Sequence, residues 1–218
     1  YNDSDLTTKK FLWVESNIPV PGGHLRGENA LSLALGLNTA LHYDSMNAAG
    51  IATVNFSNYS AIAIASSFGG TLTRAELDAL ISRSSDIAAF INSGGGLFAS
   101  SECYPCGANL LGGATSPSLF GYLPVTVTSI GANGPFNVTP YGATTFGLTF
   151  NDVNDPTHNS FGLVGGLNVV DKESAGNATI IVSEEQGGQL ELSTDFKPTG
   201  TAFLSGANGK VSTSLSRG

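Results

Sequence analysis

Charge is scarce in this chain. Of its 218 residues only 12% are Asp, Glu, Lys or Arg, about half the usual share of a soluble protein. Just 9 residues are Lys or Arg, against 17 Asp or Glu, for a net charge of −8. The few basic residues are scattered and form no stripe. Nucleic acid is therefore excluded as an expected partner, because neutralising phosphates takes clustered Lys and Arg. Anionic membrane surfaces are disfavoured on the same ground. No apolar run approaches the roughly 18 residues of a spanning helix, so no membrane span is expected. Cys occurs 2 times and His 3 times, too few to supply a four-Cys or Cys-rich structural zinc site.

What is plentiful is Gly, at 28 residues, together with Ser, Thr and Asn, beside a hydrophobic fraction of 41%. That fraction excludes disorder by composition, and the length suits one domain with its own core. Low charge with abundant small polar residues fits a secreted or cell-surface protein. A chain opening on Tyr1 is consistent with removal of a signal peptide.

Hydrophobic patterning predicts α/β architecture. Lys10–Glu15 (KFLWVE), Leu41–Tyr43, Ala61–Ala65 (AIAIA) and Leu97–Ser100 read as strands. Continuous apolar strands belong in a parallel sheet covered on both faces. A helix is predicted over Asn29–Leu37. A second opens at Thr73-Arg74-Ala75-Glu76, a capping box, and continues through Leu77, Leu80, Ile81, Ile87, Ala88 and Ile91 to a stop at Gly94-Gly95-Gly96, where glycine permits the left-handed conformation. Phe11, Trp13, Phe90 and Phe98 are expected in the core. After Gly107 the texture turns β-rich, with strands expected at Val125–Ile130, Phe136–Thr139, Leu167–Val170, Ala178–Val182 and Gln189–Leu192. The expectation is one α/β domain over residues 1–218: a parallel-sheet βαβ core over 10–106 and a β-rich extension over 107–218. The tail alternates Val211, Thr213 and Leu215 with Ser212, Ser214 and Ser216, a strand pattern of period two. It either pairs within the chain or adds to a neighbouring copy, and repeated open addition would build a filament.

Cys103 and Cys106 share the run Ser101-Glu102-Cys103-Tyr104-Pro105-Cys106-Gly107. A disulfide between them is the reading preferred for an exported chain. A redox pair is the alternative, but Pro105 and Gly107 point to a loop rather than the helix start that lowers a thiol pKa. Asp152, Asn154 and Asp155 offer hard oxygen ligands for calcium, yet lack EF-hand spacing, and a turn is the simpler reading. Acceptor sequons for N-glycosylation stand at Asn2, Asn55, Asn58, Asn137 and Asn177, a slight excess over chance. Tyr104, Tyr122 and Tyr141 are candidates to stack on sugar rings, the basis of a carbohydrate-binding alternative. The residues give no reason to expect a cofactor.

The run Tyr59-Ser60-Ala61-Ile62-Ala63-Ile64-Ala65, then Leu72-Thr73 with Glu76, then Phe90-Ile91-Asn92-Ser93-Gly94-Gly95-Gly96-Leu97 resembles the class I glutamine-amidotransferase-like fold, in its trehalose-utilisation (ThuA-like) branch. It also resembles exported bacterial surface proteins. The likeness covers about residues 10–106. It implies a nucleophile on a tight elbow after the strand at Leu97–Ser100, where Ser101, Glu102 and Cys103 stand, and a base from a later loop, where His158 stands, its ring oriented by Glu102 or Asp155. His24 and His42 match no role in it. The family's elbow carries Gly on both sides of the nucleophile; here Ser101 and Tyr104 flank Glu102 and Cys103. That departure favours a non-catalytic structural or assembly protein over a hydrolase.

Overall fold

The computed structural model describes residues 10–14, 43–65, 72–93, 95–100, 111–131, 136–150, 159–163, 168–173, 178–185, 188–193, 201–206 and 209–214. Its spine is a parallel sheet of β1 (Lys10–Val14), β2 (Tyr43–Met46), β3 (Tyr59–Ile64) and β4 (Gly96–Ser100), in the order β2-β1-β3-β4. β1, β3 and β4 are apolar on both faces, whereas the edge strand β2 carries Asp44 and Ser45. Leu12, Val14, Ile62, Ile64, Leu97 and Ala99 line one face, while Phe11, Trp13, Ala61, Ala63 and Phe98 alternate with them, and all are buried. The aromatic residues expected in the core are there.

Three helices accompany the sheet: α1 (Ala48–Thr53), α2 (Arg74–Ser82) and α3 (Ser84–Asn92). Their apolar residues Ile51, Leu77, Leu80, Ile87 and Phe90 join Leu12, Ile62, Ile64 and Leu97 in one core. The helix expected over Asn29–Leu37 lies outside the described residues. The capping box is present: Thr73 Oγ1 accepts from Glu76 N at 3.3 Å, and Glu76 Oε2 accepts from Thr73 N at 2.8 Å.

One expectation about this helical segment is corrected. The single helix from Thr73 to Ile91 is broken at Arg83, which leaves helical dihedrals (φ −106°, ψ 16°) and caps α2. A tertiary contact accounts for the break. Arg83 reaches the α1 end, donating to Ile51 O at 2.7 Å and Val54 O at 2.9 Å, pairing with Asp86, and lying 4.9 Å from the Phe56 ring centre. Helix α3 ends at Asn92 with Ser93 as its cap, where the glycine run was expected to stop it, and Gly95 N donates back to Phe90 O at 3.0 Å. Gly95 is required because a Cβ there would collide with the Phe90 ring. Gly94 lies outside the described residues.

The β-rich half continues the same sheet. β10 (Gly188–Ser193) pairs parallel to β4, and the order then runs β10-β9-β7-β5, with β9 (Ala178–Glu185), β7 (Asn159–Leu163) and β5 (Thr128–Gly131) antiparallel to their neighbours. β8 (Asn168–Glu173) pairs β9 and β6 (Phe136–Val138). β5 starts later than its sequence signal, at Thr128. β7 has no such signal: in Asn159-Ser160-Phe161-Gly162-Leu163, glycine and asparagine conceal a strand. Helix α4 (Pro140–Phe146), capped by Thr139 and closed by left-handed Gly147 (φ 69°), was also not expected. Finally, β11 (Thr201–Gly206) and β12 (Gly209–Ser214) form a separate antiparallel pair packed near β3, β4 and β10.

Candidate functional site

In an open parallel sheet, ligands collect beyond the carboxyl ends of the strands, where the strand order reverses. Here the chain leaves β1 for β2 on one side and returns to β3 on the other. The reversal therefore lies between β1 and β3. Their ends are held together, Ala65 N donating to Val14 O at 3.1 Å. Val14, Ile64, Ala65 and Ala99 at this edge are apolar and buried. They form a dry floor without a catalytic group of their own.

β4 ends at Ser100, between β3 and β10, and Ser101, Glu102 and Cys103 follow directly. Those three lie outside the described residues, as do Tyr104, Cys106, Asp152, Asn154, Asp155 and His158, along with Asn2 and Asn177. His158 immediately precedes β7. β10 and β9 stand between β4 and β7, so three inter-strand spacings, about 14 Å, separate those two strands.

Lys10, Asp44, Arg74, Glu76 and Arg83 are engaged in holding the fold. At the opposite, amino-terminal edge, Lys10 Nζ donates to Asp44 Oδ1 at 2.7 Å and Tyr59 Oη donates to Asp44 Oδ2 at 3.1 Å. Ser60 Oγ donates to Lys10 O at 3.2 Å. One residue from each of β1, β2 and β3 thus meets at Asp44. Burial, reinforced by the Asp44 hydrogen bond and charge, pushes the Tyr59 pKa up to about 12. Arg74 pairs with Asp78 and donates to Leu111 O at 3.1 Å. Glu76 is buried and its pKa is raised by desolvation, with the Thr73 hydrogen bonds opposing the shift. Among the described residues, no group of three His, Cys, Asp or Glu side chains is placed to hold a metal ion.

The carbohydrate-stacking candidates fare unequally. Tyr122 is fully buried, and its hydroxyl has no hydrogen-bond partner among the described residues; burial raises its pKa strongly. It cannot present a face to a sugar, which corrects that expectation: its ring is part of the core with Leu119, Phe120 and Leu123. Tyr141 is half-buried on α4. Sequence reasoning missed Arg83 and the Lys10–Asp44–Tyr59 cluster, because each joins residues about fifteen to fifty positions apart. No local pattern signals such contacts.

The chain matches no protein-family model and no curated protein sequence. Solved structures similar to it include a protein from Thermoplasma acidophilum described as one of the subunits of a GMP synthase (TM-score 0.44, 11% identity, 84% of this chain and 82% of that one). Another is a protein described as ThuA-like from Bacteroides uniformis (TM-score 0.41, 12% identity, 84% and 80%). An exo-β-1,4-mannosidase from Opitutaceae bacterium strain TAV5 is matched over 31% of its own length and 87% of this chain, with TM-score 0.43 and 11% identity.

Proposed function

We propose that this chain is a non-catalytic structural protein, secreted or displayed at the cell surface, that assembles with copies of itself through its C-terminal hairpin. The observation that carries the reading is the isolation of β11 and β12. They pair only with each other among the described residues, so each strand keeps an outer edge of backbone N–H and C=O groups without a ladder partner. Such an edge templates the addition of another strand. A contact of this kind repeated without closure makes a filament. The low charge of the chain and the structural use of Lys10, Asp44, Arg74, Glu76 and Arg83 agree with the reading.

Negative-stain microscopy of full-length protein and of a chain lacking residues 201–218 tests it. Polymers are expected from the first, and a folded monomer with an unchanged near-UV spectrum from the second. Full-length protein that stays monomeric at high concentration would overturn the reading.

A hydrolase is the second reading, favoured by one observation: β4 ends mid-sheet beside the β1–β3 reversal, and Ser101, Glu102 and Cys103 come next in the chain. Turnover of an ester, amide or glutamine substrate, abolished by Cys103→Ala or Ser101→Ala in a folded protein, would establish it.

A further inference from the structure

The structure describes three of the sequons, and it treats them differently. At Asn55-Phe56-Ser57 the outer two residues are exposed while Phe56 is buried at 3%. The anchored ring holds the short 3-10 turn Phe56–Asn58 against the core and leaves Asn55 and Ser57 both on the outside. Asn55 caps that turn through its carbonyl: Oδ1 accepts from Ser57 N at 3.1 Å and from Ser57 Oγ at 2.8 Å. The amide nitrogen, Nδ2, takes no part in either bond.

The other two sequons are built into regular structure. Asn58 is exposed, but the hydroxyl two residues on belongs to Ser60, half-buried inside β3 and donating across the sheet to Lys10 O. Asn137 is in β6, and its partner hydroxyl, Thr139 Oγ1, accepts from Gly142 N at 3.1 Å as the cap of α4. An enzyme that reads Asn-x-Ser/Thr must engage the hydroxyl together with the amide. To do so at Asn58 or Asn137 it has to peel away a sheet strand or uncap a helix.

We propose that Asn55 is a glycan-attachment site of the folded protein, and that Asn58 and Asn137 are closed to modification once the chain has folded. In the reaction, Nδ2 of Asn55 bonds to the anomeric carbon of a lipid-pyrophosphate-linked oligosaccharide. The carbon–oxygen bond to pyrophosphate breaks, the lipid pyrophosphate leaves, and the amide proton passes to a carboxylate of the transferase. Oδ1 is untouched, so the cap on Ser57 N survives modification. The sugar would stand at the amino-terminal edge of β3, at the other end of the strands from Ser100.

The test is glycosylation in vitro of the purified, folded chain with a single-subunit oligosaccharyltransferase and a synthetic lipid-linked donor, read by glycopeptide mass spectrometry. Folded protein is expected to carry sugar at Asn55 at least ten times faster than at Asn58 or Asn137; urea-unfolded protein should lose that preference. Asn55→Asp retains the capping oxygen and removes the acceptor nitrogen, so it should abolish the Asn55 glycopeptide without unfolding the chain. Ser57→Thr should keep or raise occupancy. An unmodified Asn55 in folded protein whose unfolded form is modified there, or equal rates at all three sequons in the folded state, would overturn the proposal.

Discussion

The two halves of the sheet are stabilised differently. In residues 10–100 the strands β1, β3 and β4 are apolar on both faces, the pairings are parallel, and Tyr59, Glu76 and Arg83 have partners. Glu76 is in a capping box, Arg83 binds two backbone carbonyls, and Tyr59 donates to Asp44. In residues 111–214 most pairs are antiparallel, the register slips within β5–β7 and β8–β9 as it does between Lys10 and Phe11 in β1–β3, and a fully buried tyrosine has no hydrogen-bond partner for its hydroxyl among the described residues. The first half is over-determined, with local signal and tertiary contact agreeing. The second is assembled around β9 and β10, which pair with each other as a hairpin, while β10 also pairs with β4 of the first half. Substitutions should therefore cost much in the first half and little, or even help, at the unsatisfied site of the second.

The largest effect is expected at Arg83. Arg83→Ala removes two hydrogen bonds from a charged donor and a cation–π contact, and leaves Ile51 O and Val54 O without their donor. A loss of about 2–4 kcal/mol is expected, measurable as a lower urea midpoint at unchanged slope. A loss below about 0.5 kcal/mol would mean that water replaces the guanidinium, and the comparison would fail at its strongest point.

Next comes Gly95. Gly95→Ala places a methyl group against the Phe90 ring, at a cost of about 1–3 kcal/mol. Phe90→Leu makes room, so the two changes together should cost less than the sum of each alone. Strict additivity would show that the ring moves freely aside.

Glu76 gives a pH signature. Its folded pKa is raised above the ordinary 4.5, so between the unfolded and folded values the native state binds more protons. Stability from this group is then fully present below about 4.5 and declines as pH rises through the folded value. Glu76→Gln keeps an acceptor for Thr73 N and should flatten that decline in thermal melts. A wild-type curve that instead rises over this window by an amount the Gln variant lacks would reverse the assignment.

The smallest change is expected at Tyr122, with the opposite sign. Removing an unsatisfied buried hydroxyl is neutral or stabilising by up to about 1 kcal/mol, so Tyr122→Phe should leave the melting temperature equal or higher. A clear destabilisation would reveal a partner for the hydroxyl and bring the two halves closer in character.

How much of this was legible in the sequence follows the same division. The apolar runs at Phe11–Val14, Ala61–Ile64 and Leu97–Ala99 and the capping box at Thr73–Glu76 are local signals, and the parallel core could be read from them. The break at Arg83 could not, because its cause is a pair of carbonyls 32 and 29 residues away. The glycine stop after α3 was legible as well; the close approach of Gly95 to the Phe90 ring was not, since it depends on how that ring packs. The alternation at Val211 and Thr213 marked β12, but its partner β11 went unread, although Ala207-Asn208-Gly209 before it is a turn signal. At the candidate site, the βαβ unit that makes Ala61–Ala65 and Leu97–Ser100 parallel was legible, whereas the strand order and the wide separation of β4 from β7 were not, since they depend on pairings such as the insertion of β9 and β10.

The hairpin edge is the point on which the account turns. Hydrogen–deuterium exchange of the full-length chain, followed at β11 and β12 over a hundredfold range of protein concentration, measures it directly. In a lone two-stranded pair only alternate amides are bonded, and the outward ones exchange fast. The account predicts that these outward amides become protected as concentration rises, while protection in β1, β3 and β4 stays constant. Protection of the hairpin that does not change with concentration would contradict assembly through this edge.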